Sequence, residues 1–227
     1  MINPDSLNPD VEIVLLQCRP QSHLKDSEVS LPKNLADEDI IFSTPCMAPE
    51  GRVDDIHYVV FVSPEGYYSL PTSTARAELS RIIGSLNVIL KDEVFICVGP
   101  GRWGTSTPDL GVQIGYADIY HARALVELTG RGLGPAPEPS FGTHFFQDLI
   151  ESNIYPLAID LDDPDTIFKR EFFYELPNDL VGCLPDKADM ENCLRLIRVA
   201  NFRSRHHLTL VMDDQAGKSV AYLEADS

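Results

Sequence analysis

Residues 99–104 read Gly99-Pro100-Gly101-Arg102-Trp103-Gly104 and follow the apolar run Val94-Phe95-Ile96-Cys97-Val98. Its glycines allow positive φ angles and close approach of backbone to a ligand. Arg102 supplies a planar fork for phosphate or carboxylate, and Trp103 a stacking face. A strand ending in such a loop is a candidate anion cradle. The same residues also suit a glycine-rich turn that seats a buried tryptophan, and the local sequence leaves both readings open.

The spacing coincides with the dinucleotide fingerprint G-x-G-x-x-G, but the context of that fingerprint is absent. It needs a helix starting within the glycine run and an acidic residue about 20 positions later at a strand end. Here Thr105-Ser106-Thr107-Pro108-Asp109-Leu110-Gly111 continues as turn-forming chain, and Pro100 has no amide to donate. No Gly-Lys-Ser/Thr follows, so the loop is not of the Walker A type either.

A second dense stretch is Phe141-Gly142-Thr143-His144-Phe145-Phe146-Gln147-Asp148. Thr143 suits a helix cap, which places His144 beside the amides of a helix N-terminus, where an anion could bind. Alternatively, His144 and Gln147 hydrogen-bond the neighbouring loop while Phe145 and Phe146 fill the core. Asp109, Asp118 and Glu127 fall in the same part of the chain, and any of them could hold a cation at a phosphate, although carboxylates are common throughout. Arg123 has apolar neighbours and needs an anionic partner if it is buried. In His206-His207 and Asp213-Asp214, neighbouring residues on a strand would face opposite ways, so a strand start and a hairpin turn explain both pairs better than zinc does. No catalytic residue is singled out.

The elements that must carry these residues alternate between strand and helix. Apolar runs predict strands at 11–18, 40–42, 56–62, 93–98, 112–114, 122–128 and 154–160. The unbroken run Val59–Val62 implies a strand covered on both faces. The clearest helix covers 73–90, capped by Ser73 or Thr74, with Leu79, Ile82, Ile83, Leu86 and Leu90 on one stripe. Arg76 and Arg81 point away from it and are expected in solvent. Pro-rich residues 133–140 form an extended connector to a helix at 143–152. The tail adds strands at 194–199, 207–212 and 219–223, the last two forming a hairpin. This predicts a mixed α/β fold with a central sheet, two principal helices and a C-terminal hairpin. The domain reading is a strand-bearing segment 1–22, a linker 23–39, an α/β domain 40–161 holding both motifs, and a β-rich extension 162–227.

The chain has 227 residues, ordinary hydrophobic content of 44%, and 35 acidic against 18 basic residues, a formal net charge of −17. That balance argues against a nucleic-acid or anionic membrane partner, while leaving room for a small anionic metabolite in a local basic pocket. Five scattered cysteines without a C-x-x-C pair suit a reducing compartment. With no apolar run of about 18 residues and no signal peptide, a cytoplasmic location is expected.

Taken together, Gly99-Pro100-Gly101-Arg102-Trp103-Gly104-Thr105 and Pro139-Ser140-Phe141-Gly142-Thr143-His144-Phe145-Phe146-Gln147-Asp148-Leu149 resemble the C-terminal region of phosphoenolpyruvate synthase-like proteins. Those proteins carry a pyruvate phosphate dikinase-type ATP-binding domain of the ATP-grasp class upstream. Leu15-Leu16-Gln17-Cys18-Arg19-Pro20 looks like the last strand of that domain, which ends in a Gln-x-Arg-Pro signature. The resemblance implies ATP and magnesium as cofactors. It gives Gln17 as a magnesium ligand and Arg19 as a contact to nucleotide phosphates, with Gly99, Gly101, Arg102, Trp103, Gly104, Thr143 and His144 as nucleotide or phosphate contacts. It also implies kinase (phosphotransferase) activity in the whole protein. The glycine-rich loop, lysine and acidic metal ligand that precede the signature are not in this sequence, nor are the phosphohistidine domain and the phosphoenolpyruvate-binding barrel. The expectation is therefore a fragment, a split gene product or a truncated gene model, inactive alone and dependent on an ATP-grasp domain in cis or in trans. The alternatives are a non-catalytic module for a small anion or nucleotide, and a scaffold for the ATP-grasp half.

Overall fold

The computed structural model describes residues 29–46, 49–134, 139–140 and 143–226. The strand expected at 11–18, with Gln17 and Arg19, lies outside the described residues, as do Phe141 and Gly142. Among the described residues there are ten strands: β1 (Ile40–Thr44), β2 (Gly51–Ile56), β3 (Tyr58–Val62), β4 (Phe95–Pro100), β5 (Ala124–Thr129), β6 (Tyr155–Asp160), β7 (Ile167–Phe168), β8 (Leu194–Arg198), β9 (His206–Asp213) and β10 (Lys218–Ala225). The helices are α1 (Pro64–Ser69), α2 (Ser73–Ile89), α3 (His144–Glu151), α4 (Arg170–Tyr174) and α5 (Leu180–Cys183). The fold is mixed α/β and ends in the hairpin β9–β10.

Two sheets form. One runs β6-β5-β4-β3-β8, with β3 to β6 parallel and β8 antiparallel beside β3. The other runs β2-β9-β10-β1-β7, and its neighbouring strands are antiparallel. Both sheets draw strands from each side of residue 161.

The alternation of side chains assigns the layers. Val60, Val62, Cys97, Leu125, Leu194 and Leu196 pack with Leu79, Ile82, Ile83 and Leu86 of α2. Their neighbours Val59, Phe61, Ile96, Val98, Val126 and Ile197 pack with Ile41, Leu208, Leu210 and Met212 of the second sheet. Successive residues of a strand point to opposite faces, so the parallel sheet is the middle layer, with α2 on one side and the antiparallel sheet, together with Phe172 and Phe173 of α4, on the other. That accounts for the full burial of Val59–Val62. The sheets cross steeply. The Tyr155 ring at the start of β6 lies against Gly51 of β2, and Thr44 of β1 donates to the Ala158 carbonyl at 3.2 Å. β2 and β1 stand three strands apart, about 14 Å at the usual spacing, so β6 runs across the strands of the other sheet.

Several expectations need correction. The run 56–62 is not one strand: β2 ends at Ile56, His57 crosses between the sheets, and β3 begins at Tyr58. The His57 amide donates to Val94 and its carbonyl accepts from Val199. The cap of α2 is Thr72, whose hydroxyl accepts from the Ala75 amide at 3.1 Å. Arg81 is exposed as expected, but Arg76 is not: only 16% of its side chain meets solvent. Its guanidinium bonds Asp109 at 2.8 Å and lies 5.4 Å from the Tyr67 ring centroid. Residues 112–114 form no strand, because Val112 turns back and accepts the Gly104 amide.

The outer edge of β8 is closed by the Asn178 side chain and by the Asp179 amide, which donates to the Leu196 carbonyl at 2.9 Å. Asn178 donates to the Leu194 carbonyl at 3.1 Å and accepts from the Leu196 amide at 2.9 Å, imitating a paired strand.

Candidate functional site

β4 ends in the glycine loop at the carboxyl edge of the parallel strands, where open α/β sheets usually place ligands. The loop, however, spends its own donors. Gly101 N–H donates to Leu128 O at 2.9 Å, Arg102 N–H to Leu110 O at 2.8 Å, and Gly104 N–H to Val112 O at 3.1 Å. Trp103 N–H donates to Glu127 Oε1 at 2.8 Å. The amides from 101 to 104 are thus all engaged within the chain. Gly101 has φ +64, and a Cβ there would lie 2.2 Å from Leu110 O, so the turn requires glycine.

Trp103 is 1% exposed, and its ring fills the space over Gly99, where a Cβ would lie 2.6 Å from Cζ2. It offers no stacking face to a ligand from solvent. Its Nε1 has no hydrogen-bond partner among the described residues. Arg102 is half-buried, with its charge near Glu127.

Glu127 is the hub. It sits on β5 between Gly99 of β4 and Ala158 of β6. Besides the Trp103 amide it accepts the Ser140 amide at 2.6 Å, and Ser140 Oγ donates to it at 2.5 Å. Burial pushes its carboxyl above the usual range, and these hydrogen bonds and the Arg102 charge pull it part of the way back. Ser140 O then accepts the Thr143 amide at 3.1 Å, and Thr143 Oγ1 caps α3 by accepting the Phe146 amide at 3.2 Å. Phe145 packs on Gly104, where a Cβ would lie 2.5 Å from the ring. The two motifs are therefore one assembly, joined by Glu127, Ser140 and the contact of Gly104 with Phe145.

The other candidates fall elsewhere. His144 is exposed on α3, whereas the Trp103 ring points into the core, so the two do not face a common space. Asp109 pairs with Arg76, Asp118 accepts the Gly115 amide at 2.7 Å, and Glu127 is enclosed, so the three carboxylates do not converge. No group of three His, Cys, Asp or Glu among the described residues is arranged to hold a metal ion. Arg123 is exposed just ahead of β5. His207 is buried, with Nδ1 3.0 Å from Asp226 and Nε2 3.6 Å from Asp55. Cys97 is enclosed in β4, and burial raises its thiol far above the usual range, which rules out a ready nucleophile.

Two further residues shape the site without a motif of their own. Ser140 carries the link from Glu127 to α3, and the buried Tyr67 pins the loop's return by donating to the Gly111 carbonyl at 2.6 Å, with the Pro108 carbonyl also in reach at 2.9 Å. In the sequence Glu127 stands as one carboxylate of three with Asp109 and Asp118. The useful signal was its place as the lone charge in Ala124-Leu125-Val126-Glu127-Leu128-Thr129, since a charge in a buried strand needs fixed donors.

No helix among the described residues is long and apolar enough to cross a membrane. Neither a family model, nor a curated protein, nor a solved structure matches the chain.

Proposed function

We propose that the chain is the C-terminal scaffold part of a phosphoenolpyruvate synthase-like, ATP-dependent phosphotransferase of the cytoplasm. It has no activity alone and works with an ATP-grasp domain, in cis or in trans, that handles ATP and magnesium. The family enters through the two motifs and the Gln17-Cys18-Arg19-Pro20 run. The scaffold role rests on one observation: the loop that should cradle phosphate uses its amides from 101 to 104 on its own chain and buries its tryptophan. Those glycines then serve close packing and tight turns, and Arg19 and Gln17 remain as contacts for a nucleotide held mainly by the partner.

The second reading is a module that binds a small anion itself. It draws on Arg102 at the carboxyl edge of the sheet and His144 on the first turn of α3. Thermal unfolding of the chain with magnesium-ATP, AMP, pyruvate or phosphoenolpyruvate separates the two. A ligand at 100 times its Kd adds about 2.7 kcal/mol, so binding by the chain alone gives a clear rise in Tm. The scaffold reading expects no rise with any of the four. A saturable rise that Arg102→Ala or His144→Ala removes would overturn it.

A further inference from the structure

His207 on β9 is 7% exposed and stands between two carboxylates. Its Nδ1 is 3.0 Å from Asp226, just past β10, which is a hydrogen bond. Its Nε2 is 3.6 Å from Asp55 of β2, an ion-pair distance too long for a hydrogen bond. The His57 ring lies edge-on to it with centroids 6.2 Å apart, and Glu93 stands 3.8 Å from His57. This is a corner where the two sheets meet: His57 joins β2 to β3, and its backbone is tied to Val94 and Val199. Neither motif nor the proposed scaffold role makes use of it.

Backbone strain gathers at the same corner. The non-glycine residues with positive φ among those described are Asp55 (+56), Asn153 (+60) and Arg205 (+55). Asp55 lies where the register of β2 shifts between Val53 and Ile56, and the Arg205 carbonyl accepts the Asp226 amide at 2.9 Å. Two of the three residues thus flank His207, and such outliers persist only where their surroundings hold them. The charged groups paired with the ring nitrogens are both carboxylates, Asp226 and Asp55. Glu224 of β10 stands opposite His207 in register and is engaged by Arg52 and Thr209. Arg205 and His206 precede His207 in the chain, and His206 Nδ1 is 2.9 Å from the Ser204 carbonyl. The turn 199–201 packs on β9, and the arginines on either side of it, Arg198 and Arg203, are paired with Asp179 and Asp39.

A neutral imidazole carries one N–H, so it satisfies one carboxylate and turns a lone pair on the other. The cation carries two and satisfies both. We propose that His207 is a pH-operated clamp: as the cation it ties Asp55 of β2 and Asp226 beyond β10 to β9, and as the neutral ring it releases one of them and loosens this corner of the seam between the sheets. Histidine ordinarily changes charge between about pH 5 and 8, so the clamp is closed at the acid end of that range and opens as pH rises.

Amide exchange with water, followed by NMR on the full chain, reads the clamp at the Asp226 amide. Corrected for the intrinsic rate, protection there should be about three- to tenfold higher at about pH 5 than at about pH 8. His207→Gln, which cannot titrate, should remove the difference. Asp55→Asn should remove at least about half of it, because one of the two carboxylates is gone, and His57→Gln should leave it in place. Circular dichroism checks that each variant is folded; should His207→Gln misfold, Asp55→Asn decides. Protection that is equal at the two pH values, or greater at the higher one, overturns the proposal. So does a folded His207→Gln or Asp55→Asn that behaves like the wild type, or a difference that disappears with His57→Gln.

Discussion

Because Glu127 is enclosed and receives the Trp103 amide, the Ser140 amide and the Ser140 hydroxyl, truncation to Ala leaves two amides without an acceptor, while the hydroxyl keeps the Trp103 carbonyl at 3.3 Å. Buried donors stranded in this way cost about 1–3 kcal/mol each, less what water recovers, so Glu127→Ala should lose about 3 kcal/mol of unfolding free energy. The pH dependence tests the same carboxyl from another side. Its folded pKa is raised above the model-peptide value of 4.5, so the folded protein holds this proton more tightly than the unfolded chain does. Its contribution is then fully present below about 4.5 and is lost as pH rises through the folded pKa. Glu127→Gln cannot titrate, and the stability of the wild type relative to it should fall as pH rises across that window. Urea unfolding of both proteins from acid to neutral pH measures this; a difference that grows with pH would mean that the hydrogen bonds outweigh burial.

At the scale of elements, Asn178 replaces a missing neighbour of β8 and also accepts the Leu180 amide at 3.1 Å, starting α5. Asn178→Ala should cost about 2–3 kcal/mol in denaturant unfolding and speed hydrogen exchange at Leu196, while Asn178→Asp, which keeps both accepted bonds, should lose less. Equal losses for Ala and Asp would show that the accepted bonds contribute little. Nothing in the local pattern of Asn178 marks it as an edge cap, because that role depends on which strand lies at the sheet's end. Periodicity could find α2, α3 and most strands, since Leu79 to Leu90 and Val59 to Val62 report their own burial. It could not find the break at His57, where an apolar run passes from one sheet to the other without a polar interruption longer than one residue. The glycine loop is readable as a turn with a tryptophan, but its donors are assigned only once the chain returns through Leu110 and Val112 and the neighbouring strand brings Glu127 and Leu128 from more than 20 residues away.

At the scale of the whole molecule, the chain laces its ends together. β2 pairs with β9, and β1 pairs with β10 and β7, so neither of the first two strands pairs within residues 40–161. β3 likewise loses β8 on one side if the chain is cut at 161. The apolar face of the middle sheet that carries Val59, Phe61, Ile96 and Val98 is covered by β9 and β10. A fragment ending at residue 161 would expose that face and leave β1 and β2 without a sheet, a state that costs more hydrophobic stabilisation than a domain of this size has in reserve. Expressed alone, residues 1–161 should be insoluble or lack a cooperative unfolding transition. Coexpressed with residues 162–227, they should recover a soluble complex, because each part supplies the other's missing strands. A fragment 1–161 that is soluble, monomeric and unfolds cooperatively would mean that the parallel sheet and its helices are a domain in their own right. The antiparallel sheet would then be an addition to that domain rather than half of its core.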